Sequence, residues 1–288
     1  MGNLKSTLFL LVVINLVIFL SLPIVGASQT SRDGSVINWP TKIGAGIGTE
    51  SFTYQESSYG VFIEEKGTLS TVNLSVRFPL IGSFFGQDYS FGQIEGSFSR
   101  GNLTYDGQTW GGDPLTASTR DRIYRFRSYI GPAYAFGQGA LEPYGGFWAR
   151  YWHDKVIGQG GYRREIKQFF WLGGANLRFD LSPSLSLTVG GSGSRLKVGS
   201  VKSYLSDVNS GFNNPTVEQD SGSCYRAYIK SWTKLLGFVI RVKAYGRYLD
   251  IASSDTAPLY YKGEKVTVVH EPANTTTIYG INLNLVWG

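Results

Sequence analysis

The chain has 288 residues, and its 27 Lys and Arg against 21 Asp and Glu give a formal net charge of +6. That charge is modest and does not indicate a nucleic-acid partner. Cys224 is the single cysteine, which excludes an intramolecular disulfide framework. The 37 glycines, 18 Tyr, 17 Phe and 7 Trp are typical of a membrane barrel whose residues alternate between lipid and lumen.

The N-terminal residues predict an export signal. Lys5 precedes an apolar stretch at 7–25, and small residues precede a signal-peptidase cut after Ala27. The stretch is also long enough for an uncleaved helical anchor, but Pro23 and the small-residue site favour cleavage. We expect a signal peptide at 1–27, a periplasmic tail at 28–40 and a single barrel domain at 41–288.

Residues 277–287 carry the clearest strand pattern of the chain. One face of this segment is apolar, and the opposite face carries Gly280, Asn282 and Asn284. A final strand with an aromatic residue at the membrane boundary is what outer-membrane barrels present to the barrel-assembly machinery, which we therefore expect as a partner. The apolar face consists of Tyr279, Ile281, Leu283, Leu285 and Trp287.

The same period of two recurs backwards along the chain and predicts ten strands. An even number fits a single-chain bacterial barrel, and closure avoids unpaired backbone groups in lipid. The fold class is therefore all-β, a transmembrane antiparallel up-and-down barrel in the bacterial outer membrane. The strands are expected at 43–48, 71–78, 93–98, 121–136, 141–151, 168–179, 185–190, 225–230, 238–247 and 277–287.

The connections alternate in length, as in barrels with short periplasmic turns and longer outer loops. Residues 136–140, 180–184 and 233–237 are tight turns rich in Gly, Pro and Ser. Long polar segments lie between them, at 102–119, 201–222 and 252–273. A secreted soluble β-sandwich is the competing class, and the two-faced strands argue against it.

The predicted lumen face is rich in cations and poor in anions. One interpretation is structural, with Glu95 paired to Arg77 and Glu142 paired to Arg125 or Arg127 in a filled interior. The other is an electropositive bore that favours anions. The cations are Arg77, Arg125, Arg127, Arg150, Arg178, Arg226, Lys230, Arg241, Lys243 and Arg247, and the acidic partners are Glu95, Asp121 and Glu142.

The third outer loop is basic. Lys155, Arg163, Arg164 and Lys167 surround a glycine-rich stretch at 158–161. Such a loop is either an ordinary solvated segment or a contact for lipopolysaccharide phosphates or another anionic polysaccharide.

The residue pattern for catalysis is poor. His153 and His270 are the only histidines, and no metal cluster, phosphate loop or Ser-His-Asp spacing is present. His153 and Asp154 are adjacent on a strand, so their side chains are expected to point to opposite faces. We therefore predict neither an enzyme nor a cofactor.

The layout of ten strands, five outer loops and a C-terminal aromatic strand resembles the omptin-type outer-membrane barrels over residues 41–287. Strand phrases at 129–136 (YIGPAYAF) and 181–188 (LSPSLSLT) contribute to the resemblance. The superfamily holds outer-membrane proteases, Opc-type adhesins and Protochlamydia-type proteins with proposed porin activity, and the chain is closest in character to the last group.

The protease members carry an acidic pair in one rim loop and a His-Asp pair in the opposite one. Here the second outer loop offers only Asp106 and Asp113, and the fourth has no histidine, so no protease residue carries over. The leading expectation is a narrow porin-like channel for small anionic solutes. The alternative is a surface adhesin that binds anionic polysaccharide, and an omptin-type protease ranks third. Membrane lipid and lipopolysaccharide are expected to surround the barrel.

Overall fold

The computed structural model describes residues 28–30, 36–38, 41–58, 61–80, 89–108, 112–158, 160–235 and 238–288. The signal peptide expected at 1–27 lies outside these residues and stays a prediction. The expected tail contributes two short paired strands, β1 (Ser28–Thr30) and β2 (Val36–Asn38). The described part of the chain contains no helix that is long and apolar enough to cross a membrane.

Ten antiparallel strands form one closed sheet, which confirms the predicted all-β barrel. Each strand pairs with the next, and the last pairs with the first from Asn274↔Glu56 to Trp287↔Ile43. The strands are β3 (Lys42–Ser58), β4 (Val61–Leu80), β5 (Tyr89–Gln108), β6 (Pro114–Phe136), β7 (Gly139–Ile157), β8 (Arg163–Ser182), β9 (Leu185–Ser203), β11 (Gly222–Leu235), β12 (Phe238–Ile251) and β15 (Asn274–Trp287).

Alternating side chains explain why the sheet closes with its apolar face outward. In β15, Leu283 is 53% exposed while Asn284 is 1% exposed. Ile47 of the neighbouring β3 is 67% exposed and faces the same side as Leu283, its register partner. An outward apolar surface of this kind is stable only against lipid, because in water it would expose a large hydrophobic patch.

The strands are longer than the sequence pattern indicated. A membrane crossing needs only about 9–11 residues, whereas β6 has 23 residues and β5 has 20. The loop expected at 102–119 is therefore mostly strand, because β5 continues to Gln108 and β6 begins at Pro114. The tight turns expected near Gln138 and Pro183 are confirmed, and the one expected at 233–237 lies partly outside the described residues.

Two shorter elements extend the outer end of the barrel. β10 (Thr216–Gln219) pairs with β9 and prolongs the wall beyond β11. β13 (Thr256–Tyr261) and β14 (Glu264–His270) form a hairpin whose turn residues Lys262 and Gly263 have φ values of 49° and 89°. Positive φ at both central residues is the hairpin geometry that matches strand twist. A single 3-10 turn, Leu205–Asp207, lies in the preceding connection.

One irregularity changes which side chains of β9 face inward. The pairing with β8 shifts between Phe169 and Phe170, so that Lys197 is the extra residue in β9. Below the shift Leu196 is buried, and above it Val201 is buried. A β-bulge reverses the inward parity of a strand in this way.

The seam where β3 meets β15 depends on glycine. A Cβ at Gly46 would overlap the Leu283 carbonyl oxygen, and one at Gly48 would overlap the Asn282 amide. Both glycines face the interior, where Asn282 and Asn284 occupy the space beside them. The small residues therefore permit the two terminal strands to close the barrel.

We expect Gly46→Ala to lower the free energy of unfolding by about 1–3 kcal/mol, the usual cost of overpacking a filled site. Gly96→Ala is the matched control, since no atom lies within 4 Å of its added Cβ. Removing glycine there should be neutral or slightly stabilising. Urea unfolding in phospholipid vesicles measures both, and equal effects would show that the seam does not depend on Gly46.

Candidate functional site

The ten cations expected on the lumen face all occupy inward-facing strand positions. Their alternation with exposed neighbours, such as Tyr225 and Val242, fixes the orientation of the wall. Six are buried and four are half-buried. The buried ones are Arg125, Arg127, Arg150, Lys230, Arg241 and Lys243, and the half-buried ones are Arg77, Arg178, Arg226 and Arg247.

Ion pairs in the part of the interior away from the outer end join strands that are not neighbours. Arg77 of β4 donates to Glu142 of β7 at 2.7 Å. Arg125 of β6 pairs with Glu50 of β3 at 3.0 Å, and Tyr245 of β12 also donates to Glu50. The predicted pairing of Glu142 with Arg125 or Arg127 is therefore wrong, because the side chains reach across the lumen rather than along the wall.

Glu95 is the second acidic side chain whose partner differs from the prediction. Its carboxylate lies 3.3 Å from Arg226 and 3.6 Å from Lys243, on the far side of the barrel. Arg77 pairs with Glu142. Both corrections have one cause, which is that opposite walls of a ten-stranded barrel lie within reach of an arginine side chain.

A cavity of about 70 Å³ lies among these cations. Arg125, Arg127, Arg226, Arg241 and Arg247 contribute to its lining, and each has at least one buried guanidinium nitrogen without a hydrogen-bond partner among the described residues. A polar cavity of this size has room for ordered water, which is the usual partner of such groups. The electropositive region thus surrounds a small polar cavity.

An apolar layer crosses the interior above the cavity. We use this name for a contact cluster in which nine consecutive wall segments contribute one side chain each, none more than 5% exposed. Trp152 lies at its centre, 5.4 Å from Phe52 and 5.0 Å from Tyr54 between ring centroids. The side chains of the layer are thus packed together in the interior. Its members are Phe52, Leu69, Leu103, Ile123, Trp152, Ile166, Val201, Val217 and Ile278.

Arg164 lies outside the apolar layer and binds four carboxylates. Its Nε donates to Asp154 at 2.8 Å, its Nη2 to Glu65 at 2.8 Å, and its Nη1 to Glu56 at 2.7 Å and Glu271 at 3.3 Å. We call these five residues the Arg164 cluster. All are buried. One guanidinium therefore ties β3, β4, β7, β8 and the segment before β15 together.

Asp121 approaches the same cluster but is held by neutral donors. Trp152 Nε1 donates to Asp121 Oδ1 at 2.7 Å, and Thr119 Oγ1 donates to Oδ2 at 2.6 Å. Asp121 was predicted to balance lumen cations, whereas the structure brings it close to Glu65 and Asp154. The sequence indicated no metal cluster. Within the described residues, these three carboxylates are close enough to share a metal ion.

Sequence reasoning missed Glu50, Glu56, Glu65 and Glu271, four acidic side chains that are buried in the interior. A signal for the first two was present. The alternation that begins at Gly44 continues through Glu50, Phe52, Tyr54 and Glu56, so these residues share the inward face of β3. Glu271 lies in a connection, where no strand period applies.

The four cations expected in a basic third loop lie in strands and separate into two environments. Lys155 lies near the end of β7, while Arg163, Arg164 and Lys167 belong to β8. Arg164 faces inward and is engaged by the Arg164 cluster, so it is not available to an external anion. Arg163 pairs with Asp207 at 2.7 Å, and Lys167 lies 5.6 Å from the Tyr151 ring.

A row of aromatic residues faces outward on neighbouring strands, and outward-facing cations lie level with this row or nearer the outer end of the barrel. Phe98, Tyr124 and Tyr151 are register neighbours on β5, β6 and β7, with ring centroids 4.8 Å and 5.9 Å apart. Aromatic girdles of this kind mark the membrane interface. Outward cations lie level with this row or beyond it, and we call them the outer basic belt: Arg100, Arg120, Arg122, Lys155, Lys167 and Lys202.

Glu271 lies outside the strands and has an unusual environment. Burial, followed by the nearby Glu56 carboxylate, raises the pKa of Glu271 to about 8. Its carboxyl is therefore largely protonated at neutral pH. The proton reduces the repulsion that Arg164 alone would have to offset in this crowded site.

The two histidines lie at partly or fully exposed positions. Asp154 is fully buried inside the barrel, whereas His153 is the partly exposed residue between the buried Trp152 and Asp154. The adjacent pair thus points to opposite faces, as the strand period predicted. His270 is exposed at the end of β14.

No protein-family model matches the sequence, and no curated relative matches it either. Among solved structures, the chain is similar to the outer membrane protease OmpT from Escherichia coli. The two share 12% identity, the match covers 85% of this chain and 95% of that chain, and the TM-score is 0.59.

Two further solved structures match more weakly. They are the translocator domain of the autotransporter NalP from Neisseria meningitidis, with 12% identity, 87% and 90% coverage of the two chains and a TM-score of 0.39, and Ail of Yersinia pestis, with 10% identity, 85% and 98% coverage and a TM-score of 0.28. The likeness to OmpT concerns the fold. Together with the closed ladder and the apolar outward face, it defines the protein as an outer-membrane β-barrel.

Replacing Arg164 should be among the most damaging single changes in the barrel. Arg164→Met leaves up to four buried carboxylates without their shared cation, and breaking a buried pair costs about 3–5 kcal/mol. Arg163→Met is the matched control at the adjacent, outward position. Its ion pair with Asp207 is solvent-exposed and should contribute about 0–1 kcal/mol. Urea unfolding in vesicles compares the two, and similar losses would contradict the central role of Arg164.

Proposed function

We propose that the protein is a closed surface barrel that binds anionic carbohydrate through its outer wall. The observation that carries the proposal is the apolar layer, because it occupies the interior with tightly buried side chains from nine wall segments. Water and ions cross a membrane protein only along a hydrated path. A filled interior favours a scaffold over a channel.

The location of the solvent-exposed cations supports a role for the outer wall. Most cations of the lumen are buried, and several pair with Glu50, Glu95 or Glu142. By contrast, Arg100, Arg122 and Lys167 are exposed on the outside of neighbouring strands. They lie level with or just beyond the aromatic row, where the phosphorylated sugars of lipopolysaccharide or a sulphated polysaccharide would meet the wall.

The porin-like channel remains the second candidate, and the cation-lined cavity is the observation that favours it. Transport would require a movement that opens the apolar layer. A protease receives no specific support, because the likeness to OmpT concerns the fold at 12% identity and His153 points away from Asp154.

Purified protein in planar bilayers should show no ion steps above the detergent control. The physical reason is the apolar layer, since its buried side chains, Trp152 and Phe52 among them, offer ions no polar contacts. The measurement is single-channel recording at high protein load, with liposome swelling as a second readout. Reproducible steps with anion-over-cation reversal potentials would reverse the order of the two candidates.

Removing three cations of the outer basic belt should weaken carbohydrate binding about ten-fold. The change is Arg100→Gln with Arg122→Gln and Lys167→Gln, and each exposed charge contact contributes about 0.2–1 kcal/mol. The control is Lys262→Gln with Lys265→Gln, which removes exposed charge from the outer hairpin.

The binding assay uses immobilised lipopolysaccharide in one arm and soluble heparin in the other, each at two salt concentrations. Loss in the first arm alone assigns the belt to the protein's own membrane, and loss in the second assigns it to an external polymer. Binding that is equal in the belt variant, the hairpin variant and the parent in both arms contradicts the proposal.

A further inference from the structure

Three inward carboxylates meet at the outer side of the apolar layer. Glu65 of β4, Asp121 of β6 and Asp154 of β7 are each fully buried. One oxygen from each lies within 4.8 Å of the corresponding oxygens of the other two. Like charges at this separation, away from water, repel one another strongly unless something positive lies between them.

The hydrogen-bonding of these carboxylates is incomplete. Arg164 donates to Glu65 Oε1 and to Asp154 Oδ2, both at 2.8 Å. The second oxygen of each group, Glu65 Oε2 and Asp154 Oδ1, is buried and accepts no hydrogen bond from any described residue. Buried charged oxygens are nearly always satisfied by a donor or a cation. These two oxygens therefore point to a positive ligand.

Arg164 cannot supply the missing charge alone. Its guanidinium is shared with Glu56 and Glu271, and among the described ion pairs it is the cation that contacts Glu65 and Asp154. Among the described residues, Asp121 has no ion pair. It accepts hydrogen bonds from two uncharged donors, Trp152 and Thr119. Donors of that kind orient metal-binding carboxylates from behind.

We propose that Glu65, Asp121 and Asp154 bind a hard divalent cation of the Ca²⁺ type. The donor set consists of oxygen atoms without nitrogen or sulfur, which suits Ca²⁺ or Mg²⁺ rather than zinc or copper. Two oxygens that ligate one Ca²⁺ at about 2.4 Å lie at most about 4.8 Å apart. The oxygens of these three groups lie within that limit of one another.

The bound cation would fix the outer ends of three strands to one another. β4, β6 and β7 extend well beyond the length that lipid requires. A cation between Glu65, Asp121 and Asp154 would act there together with Arg164. This role is independent of carbohydrate binding, since the site faces the interior.

Terbium luminescence tests the site directly. The protein is refolded in detergent micelles free of lipopolysaccharide, treated with chelator and titrated with Tb³⁺, which replaces Ca²⁺ and emits when a nearby tryptophan is excited. Trp152 is suited as the sensitiser, because its Nε1 lies 2.7 Å from Asp121 Oδ1. We expect a saturable signal that Ca²⁺ reverses, and a thermal midpoint that rises with Ca²⁺.

Matched variants locate the response. Asp121→Asn keeps the side-chain shape and should abolish both the luminescence and the Ca²⁺-dependent rise in thermal midpoint. Glu165→Gln removes an outward carboxylate on the neighbouring β8 and should leave both unchanged. Neutralising one of several neighbouring carboxylates can stabilise the barrel even without Ca²⁺. The quantity to compare is therefore the rise in thermal midpoint that Ca²⁺ causes within each variant.

The unmodified protein decides the proposal even if a variant fails to fold. Absent luminescence together with a thermal midpoint that is insensitive to Ca²⁺ would overturn the proposal and leave a proton shared by the carboxylates as the explanation. A response that survives in a folded Asp121→Asn barrel would also overturn it, because the cation would then bind elsewhere.

Discussion

The interior of this barrel depends on the separation of buried charges of opposite sign. Below the apolar layer, cations outnumber Glu50, Glu95 and Glu142, whereas above it Arg164 faces an excess of carboxylates. Direct neutralisation between the two regions would require charged side chains to cross the layer of Trp152 and Phe52. Desolvation makes that crossing costly. Each region therefore keeps its own excess of charge, with cross-lumen ion pairs and a polar cavity below the layer and the Arg164 cluster above it.

Aromatic rings make this separation possible without a gap in packing. Arg150 lies 5.3 Å from the Trp152 ring centroid, and Arg164 lies 5.5 Å from the Tyr54 ring centroid. Tyr54 and Trp152 contact each other edge to face between these two guanidinium groups. Aromatic faces tolerate a nearby cation while excluding water. The layer thus serves both the packing of the interior and the placement of its charges.

The fold was predictable because lipid imposes a strict rule on the wall. Every strand must alternate, as β15 does between Leu283 and Asn284, and closure must satisfy the backbone. The interior partners were not predictable by the same rule. Glu142 and Arg77 are distant in sequence, and the period of two says only that both face inward. The sequence pattern did not predict the outer ends of the strands. Beyond the lipid the outward face is polar, so residues such as Thr104 and Ser118 resemble loop sequence.

The bulge in β9 and the connection before β15 show where pattern reasoning fails for a physical reason. Lys197 is an extra residue in β9. The residues before and after it still alternate, but the inward positions change from even-numbered to odd-numbered residues. Glu271 lies in no strand, yet it reaches Arg164 because the connection is held down by hydrogen bonds to Ser254. The Arg164 cluster therefore couples an outer connection to four strands of the wall. The guanidinium of Arg164 thus ties the connection before β15 to two of the strands whose carboxylates, Glu65 and Asp154, meet Asp121.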